Sequence, residues 1–233
     1  MPTDFANALS TDAKTIPVID VSGAISGDGI NSVADAIYAA AINHGFFYIS
    51  NHGIDSVLME QAFAVSKAFF ALPEGDKQAV AVDRNQRGWL AQGMSQMQGS
   101  KTHDLKEVFF WGPHTEADDV DVLARKPLCA VNQWPRDFPR LSEDLTPYYD
   151  AVCLMARRVM AAVAVSLDQP ANFFDKAYAK PLARGQMVYY PASTPQDETE
   201  VRFGVAPHTD FGVLTILLQD SSGGLQVQAK SGD

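Results

Sequence analysis

An α+β fold is predicted for this chain of 233 residues, and the order of its periodicities carries the prediction. Up to about residue 168, the legible elements are mainly helices. Beyond about residue 182 apolar side chains gather into short runs between turn residues, as strands do. Apolar residues make up 46% of the chain and charged residues 20%, enough to build a core and too apolar for disorder.

Residues 15–20 (TIPVID) read as a short strand. Residues 31–43 place Val33, Ile37, Ala40 and Ala41 at helical spacing, and Gly45 suits the left-handed turn that ends such a helix. Phe46 to Ile49 follow as a brief aromatic strand. A second helix is expected from Asp55 or Ser56, either of which can accept N-terminal backbone N–H groups. It runs through Phe69 and Phe70 and ends before Pro73. Residues 80–135 show no clear period, being broken by glycines at 88, 93, 99 and 112 and prolines at 113, 127 and 135. A long helix is expected over 141–168, stopping before Pro170. Strands are expected at Gln186–Tyr190, Val213–Gln219 and Leu225–Gln228, the last two joined as a hairpin through Ser221-Ser222-Gly223-Gly224.

Charge and cysteine usage narrow the function. Lys and Arg total 18 against 28 Asp and Glu, a formal charge of −10, which repels a nucleic-acid backbone. Cys129 and Cys153 give neither a disulfide framework nor a Cys-x-x-Cys metal pair. Residues 1–14 lack the basic start and apolar stretch of a secretory signal. The most apolar helical stretch, 151–167, is interrupted by Arg157 and Arg158, so no membrane span is expected. A soluble protein in a reducing, cytoplasmic setting is the expectation.

The chemistry concentrates in residues 204–228, GVAPHTDFGVLTILLQDSSGGLQVQ. His208 and Asp210 are one residue apart, so on extended backbone imidazole and carboxylate share a face while Thr209 points away. One imidazole and one carboxylate with open positions beside them suit non-haem Fe(II). An isolated His-x-Asp is a weak signal; an exposed His beside a turn-capping Asp is the plainer reading of the pair taken alone.

The context of the pair resembles the isopenicillin N synthase-like family of Fe(II)/2-oxoglutarate-dependent dioxygenases. That family carries a Pro-His-Thr-Asp-x-Gly, strand, Gln-Asp, Gly-Gly-Leu-Gln-Val run. Further matches follow in family order: IPVID at 16–20, HGFFYISNHGI at 44–54, Phe70-Ala71-Leu72-Pro73, Arg87-Gly88-Trp89, Lys106-Glu107-Val108-Phe109, Asn132-Gln133-Trp134-Pro135 and Tyr189-Tyr190-Pro191. The resemblance spans 15–228. It implies a double-stranded β-helix, or jelly roll, behind a helix-rich N-terminal region. The division expected is 1–135 for the helix-rich region, 136–181 for the long helix and connector, and 182–233 for the first part of the jelly roll. It implies Fe(II) as metal, with His208 and Asp210 as two of its three protein ligands, 2-oxoglutarate as co-substrate, and O₂. The reaction implied is oxidation, by default hydroxylation, of a small organic molecule with release of succinate and CO₂. The family's Asn-x-Tyr-x-Pro, which helps hold 2-oxoglutarate, reads Val188-Tyr189-Tyr190-Pro191-Ala192, so Tyr190 is carried over and the Asn and final Pro are not.

The match also breaks. Family members have a distal His about fifty residues or more past the Asp and an Arg-x-Ser shortly after it that grips the 2-oxoglutarate carboxylate. None of the 23 residues after Asp210 (233 − 210 = 23) is His or Arg. The expectation is an N-terminal fragment of a longer enzyme, with an incomplete roll. Two protein ligands alone predict weak iron binding. Two other readings stay open: an isopenicillin N synthase-like oxidase without 2-oxoglutarate, and a non-catalytic protein that pairs with a partner chain. Elsewhere, Phe46, Phe47, Phe69 and Phe70 are expected in the core and Glu107 solvated beside Lys106. Arg87 is expected as a stacked loop residue, and Arg184 and Arg202 in surface ion pairs. His44 and His52 are expected in packing or hydrogen-bonding roles, and His103 and His114 are minor candidates as substitute ligands.

Overall fold

The structure, a computed structural model, describes residues 16–96, 101–199, 202–210 and 212–228. Its described residues form two compact units. One gathers residues 16–54, 151–180 and 212–228; the other gathers 55–150 and 181–210.

In the first unit, strands β1 (Val18–Asp20) and β2 (Tyr48–Ser50) pair in parallel, Ile19 opposite Ile49. A parallel pair needs a crossover, supplied here by helices α1 (Ser22–Ser26) and α2 (Ile30–Asn43). Helix α2 buries Val33, Ala34, Ile37 and Ala40, so the expected stripe forms with Ala34 inward in place of Ala41. Gly45, at φ +75°, donates its N–H to the Ala40 carbonyl and closes the helix as the sequence predicts. Val33, Ile37 and Ala40 pack with Ile19, Val21 and with Met155, Val159 and Ala162 from the second half of helix α6 (Arg140–Ser166).

Leu214 and Ile216 lie against that same cluster, while Val213 and Leu217 are exposed. Burial over 213–217 therefore alternates as in a strand, yet the expected strand Val213–Gln219 does not form, and neither does Leu225–Gln228. A strand is defined by its ladder, and no backbone hydrogen bond is made by either segment among the described residues. The turn between them does form: Ser222 N–H donates to Asp220 Oδ1, and Gly223 and Gly224 take positive φ. Phe46 also departs from expectation, being 52% exposed, whereas Phe69 is fully buried.

The second unit is built on an antiparallel sheet, β3 (Gly88–Leu90), β4 (Glu107–Trp111) and β5 (Gly185–Tyr189), with β4 central. Helix α3 (Ser56–Phe70) starts at Asp55, whose Oδ1 accepts the Val57 N–H at 2.9 Å, and helix α4 (Glu74–Gln78) follows Pro73. Short helices α5 (Val120–Leu123) and α7 (Pro195–Thr199) and the first part of α6 complete it. The core is aromatic: Phe109 meets Phe69 edge-on at 5.0 Å and stacks with Trp134 at 5.6 Å.

Neither β3 nor β4 is legible from periodicity. As the middle strand, β4 is buried on both faces, so EVFFW reads as an apolar run rather than an alternation. Strand β3 begins at Gly88, where φ is +104° and a Cβ would collide with the Val80 carbonyl, freeing Trp89 N–H to bond that oxygen.

Candidate metal centre

His208 and Asp210 belong to the second unit, on irregular backbone past α7. The chain leading to them is fastened at two points. Leu105 N–H donates to the Phe203 carbonyl at 3.1 Å, and Ala206 N–H donates to Asp104 Oδ1 at 3.1 Å. Asp104 is 2% exposed. Its other oxygen accepts the Ser95 hydroxyl at 2.9 Å and faces the Lys106 ammonium at 3.3 Å, so the buried charge is compensated.

The imidazole is fastened next. His208 Nδ1 lies 2.8 Å from the carbonyl oxygen of Ala206, and in a neutral ring that contact requires Nδ1–H to donate. Nε2 then carries the lone pair, and it lies 3.3 Å from Asp210 Oδ1. The structure thus brings together the two residues that their spacing pairs, through the i, i+2 offset and the tether to Ala206 rather than through a strand. Two ligands that sit about 2.1 Å from one ion on adjacent positions are about 3 Å apart, so this pair fits one edge of a coordination shell. The imidazole is 34% and the carboxylate 51% exposed, leaving room for further ligands. Among the described residues, no group of three His, Cys, Asp or Glu side chains is placed to hold a metal.

Tyr190 follows β5 in the same unit, its ring against Gly204, where a Cβ would approach the ring to 2.6 Å. Burial around the phenol, with the Asp104 charge adding to it, pushes its pKa above the ordinary value. Val188, at the position of the family's Asn, pairs with Val108 in the sheet.

The remaining candidates resolve as structure. Arg87 is 2% exposed and donates to the carbonyls of Asn85, Gln86 and Leu128; burial lowers its pKa. Arg184 lies over the Phe110 ring and Arg202 pairs with Asp197 at 3.2 Å. His52 Nδ1 accepts the Ile54 N–H, His114 meets Glu116, and His44 and His103 are exposed. Glu107 overturns its expectation. It is buried, and its Oε2 accepts from Lys77 Nζ at 2.9 Å and Trp89 Nε1 at 2.6 Å, because β4 is the middle strand and turns this side chain inward. Asp104 was not anticipated. Its signal is an acidic residue just ahead of an apolar run, but its partner lies 102 residues further along.

Comparison with known proteins gives the family. Residues 16–137 match the family described as the non-haem dioxygenase in morphine synthesis N-terminal domain, and residues 184–233 match the 2OG-Fe(II) oxygenase superfamily. The 2-oxoglutarate-Fe(II) type oxidoreductase hxnY of Emericella nidulans is 31% identical over 91% of this chain and 62% of its own length. The 2-oxoglutarate-dependent dioxygenase citB of Monascus ruber is 31% identical over 91% of this chain and 67% of its own. In structure, the chain is similar to a full-length Neurospora crassa protein solved in complex with alpha-KG. The TM-score is 0.79 at 28% identity, over 94% of this chain and 68% of that one. The chain thus spans about three fifths to two thirds of the length of these relatives. With the His-x-Asp pair lying inside the second matched segment, the chain belongs to the 2-oxoglutarate–Fe(II) oxygenase family, in its isopenicillin N synthase-like branch.

Proposed function

We propose that the protein oxidises a small organic substrate, by default through hydroxylation, using Fe(II), O₂ and 2-oxoglutarate, with release of succinate and CO₂. The observation that carries this reading is the convergence of His208 Nε2 and Asp210 Oδ1 at 3.3 Å, with Nδ1 committed to the Ala206 carbonyl. A bound Fe(II) supplies the oxygen-activating chemistry that no side chain can. The chain's own residues do the rest. His208 offers a neutral nitrogen in a fixed tautomer, and Asp210 offers an anionic oxygen beside it. Tyr190, a neutral phenol at physiological pH, offers an O–H to a carboxylate of 2-oxoglutarate, which can only accept. The site lies within residues 184–233, the segment that matches the oxygenase superfamily, in the unit that also holds β3, β4 and β5. A reducing, cytoplasmic setting suits both the ferrous ion and the two unbridged cysteines.

The test is oxygen uptake and metal binding by the full-length protein. Uptake is expected to require both Fe(II) and 2-oxoglutarate, and His208→Ala is expected to abolish metal binding and uptake together. Val188 in place of the family's Asn favours one second reading, an oxidase that does without 2-oxoglutarate. Uptake that ignores 2-oxoglutarate selects that reading. Metal binding unchanged by His208→Ala overturns both, and a non-catalytic, partner-dependent role then stands.

A further inference from the structure

We infer that Asp104 is a positioning residue for the metal centre, setting the ring orientation and tautomer of His208 through Ala206. The inference rests on the metal reading of His208 and Asp210. Ala206 is 9% exposed and is held at both of its polar ends. Its N–H donates to Asp104 Oδ1, and its carbonyl accepts from His208 Nδ1. Ala206 precedes Pro207, which restricts the backbone between its N–H and its carbonyl, so holding the N–H constrains the direction of the carbonyl, and that direction selects which ring nitrogen keeps the proton. Asp104 is itself immobilised. Its backbone N–H donates to the Ser95 carbonyl at 2.9 Å, its Oδ2 accepts the Ser95 hydroxyl, and Lys106 Nζ stands 3.3 Å away. The next residue, Leu105, holds Phe203, so the segment before His208 is gripped by two consecutive residues that precede β4. A short surface ion pair would need none of this burial; a support for a ligand does.

The readout is the pair of ring ¹⁵N resonances of His208 in metal-free full-length protein at alkaline pH, assigned by their loss in His208→Gln. In the native chain Nδ1 is expected to be the protonated nitrogen. Asp104→Ala is expected to move the ring toward a mixture of both tautomers and to weaken Co(II) binding about 10- to 100-fold. Asp104→Asn, whose amide oxygen still reaches Ala206 N–H, is expected to restore the native tautomer and most of the affinity. If Asp104→Ala does not fold, Asp104→Ser keeps a polar group there with too short a reach, and the same shift is expected. Folded variants with native ring resonances and native Co(II) affinity overturn the inference. A shift in tautomer without Co(II) binding by the native chain upholds the positioning role and rejects the metal reading, so the two fail separately.

Discussion

Glu107 carries more than its place beside Lys106 suggests. One carboxylate oxygen accepts from both Lys77 and Trp89, and the Lys77 ammonium also donates to the Phe70 carbonyl and lies 5.1 Å over the Trp89 ring. The side chains of Lys77 and Glu107 are 9% and 12% exposed, so removing one charge strands the other out of water. Glu107→Gln is expected to cost about 3–5 kcal/mol in denaturant unfolding, although the amide still accepts from Trp89. Lys77→Met added to it is expected to recover most of that loss, because the stranded ammonium is gone. Equal destabilisation by the single and double variants would place the loss in packing rather than charge. The contrast with His208 and Asp210 shows what can be read from residues alone. Their pairing is local, two positions apart, so spacing finds it. Lys77 and Glu107 are 30 residues apart and Asp104 and Ala206 are 102 apart, so those pairings exist only once the sheet and its flanking loops are built.

Where a helix begins and ends is decided by groups within a few residues of its ends. Helix α3 follows its signals closely: Asp55 caps it, and Pro73 lies just beyond its end. It buries Ala62, Val65 and Phe69. Asp55→Ala leaves the Val57 N–H without that acceptor and is expected to lower stability by about 1 kcal/mol, with Asp55→Asn restoring it. A chemical-denaturation midpoint unchanged by the alanine would show that water replaces the cap at no cost. Helix α7 carries a comparable local signature: Pro195 opens it, and Thr194 and Asp197 bond each other's backbone N–H. Strands have no such local grammar. Residues 213–217 alternate as a strand does, and Leu214 and Ile216 pack inward, but a ladder needs a second backbone. Strands β3 and β4 show the converse, a ladder without a legible alternation, because one holds three residues and the other is buried on both faces.

Across the molecule, a formal charge of −10 makes carboxylate protonation the main event as pH falls, and each unit contains a carboxylate whose folded environment resists it. Asp20, at the end of β1, is held below its ordinary value of 3.8 by the Ser22 hydroxyl and N–H, and by the Asn51 amide at 2.7 Å. Asp197, in α7, is held below its ordinary value by the Thr194 hydroxyl and N–H, opposed by partial burial and helped by Arg202. A carboxyl that is more acidic in the folded chain than in the unfolded one stabilises the fold at every pH above its ordinary value. That contribution is lost as pH falls through the lower, folded value, because the unfolded chain takes up the proton first. The urea midpoint is therefore expected to hold level above about pH 5 and to fall steadily below about pH 4. Asp20→Asn with Asp197→Asn is expected to start lower at neutral pH and to fall less steeply, since both side chains then have no proton to gain. Curves that stay parallel from pH 7 into the acid limb would assign the acid sensitivity to other carboxylates. A shallower limb with Asp197→Asn alone would place it in the segment that leads to His208.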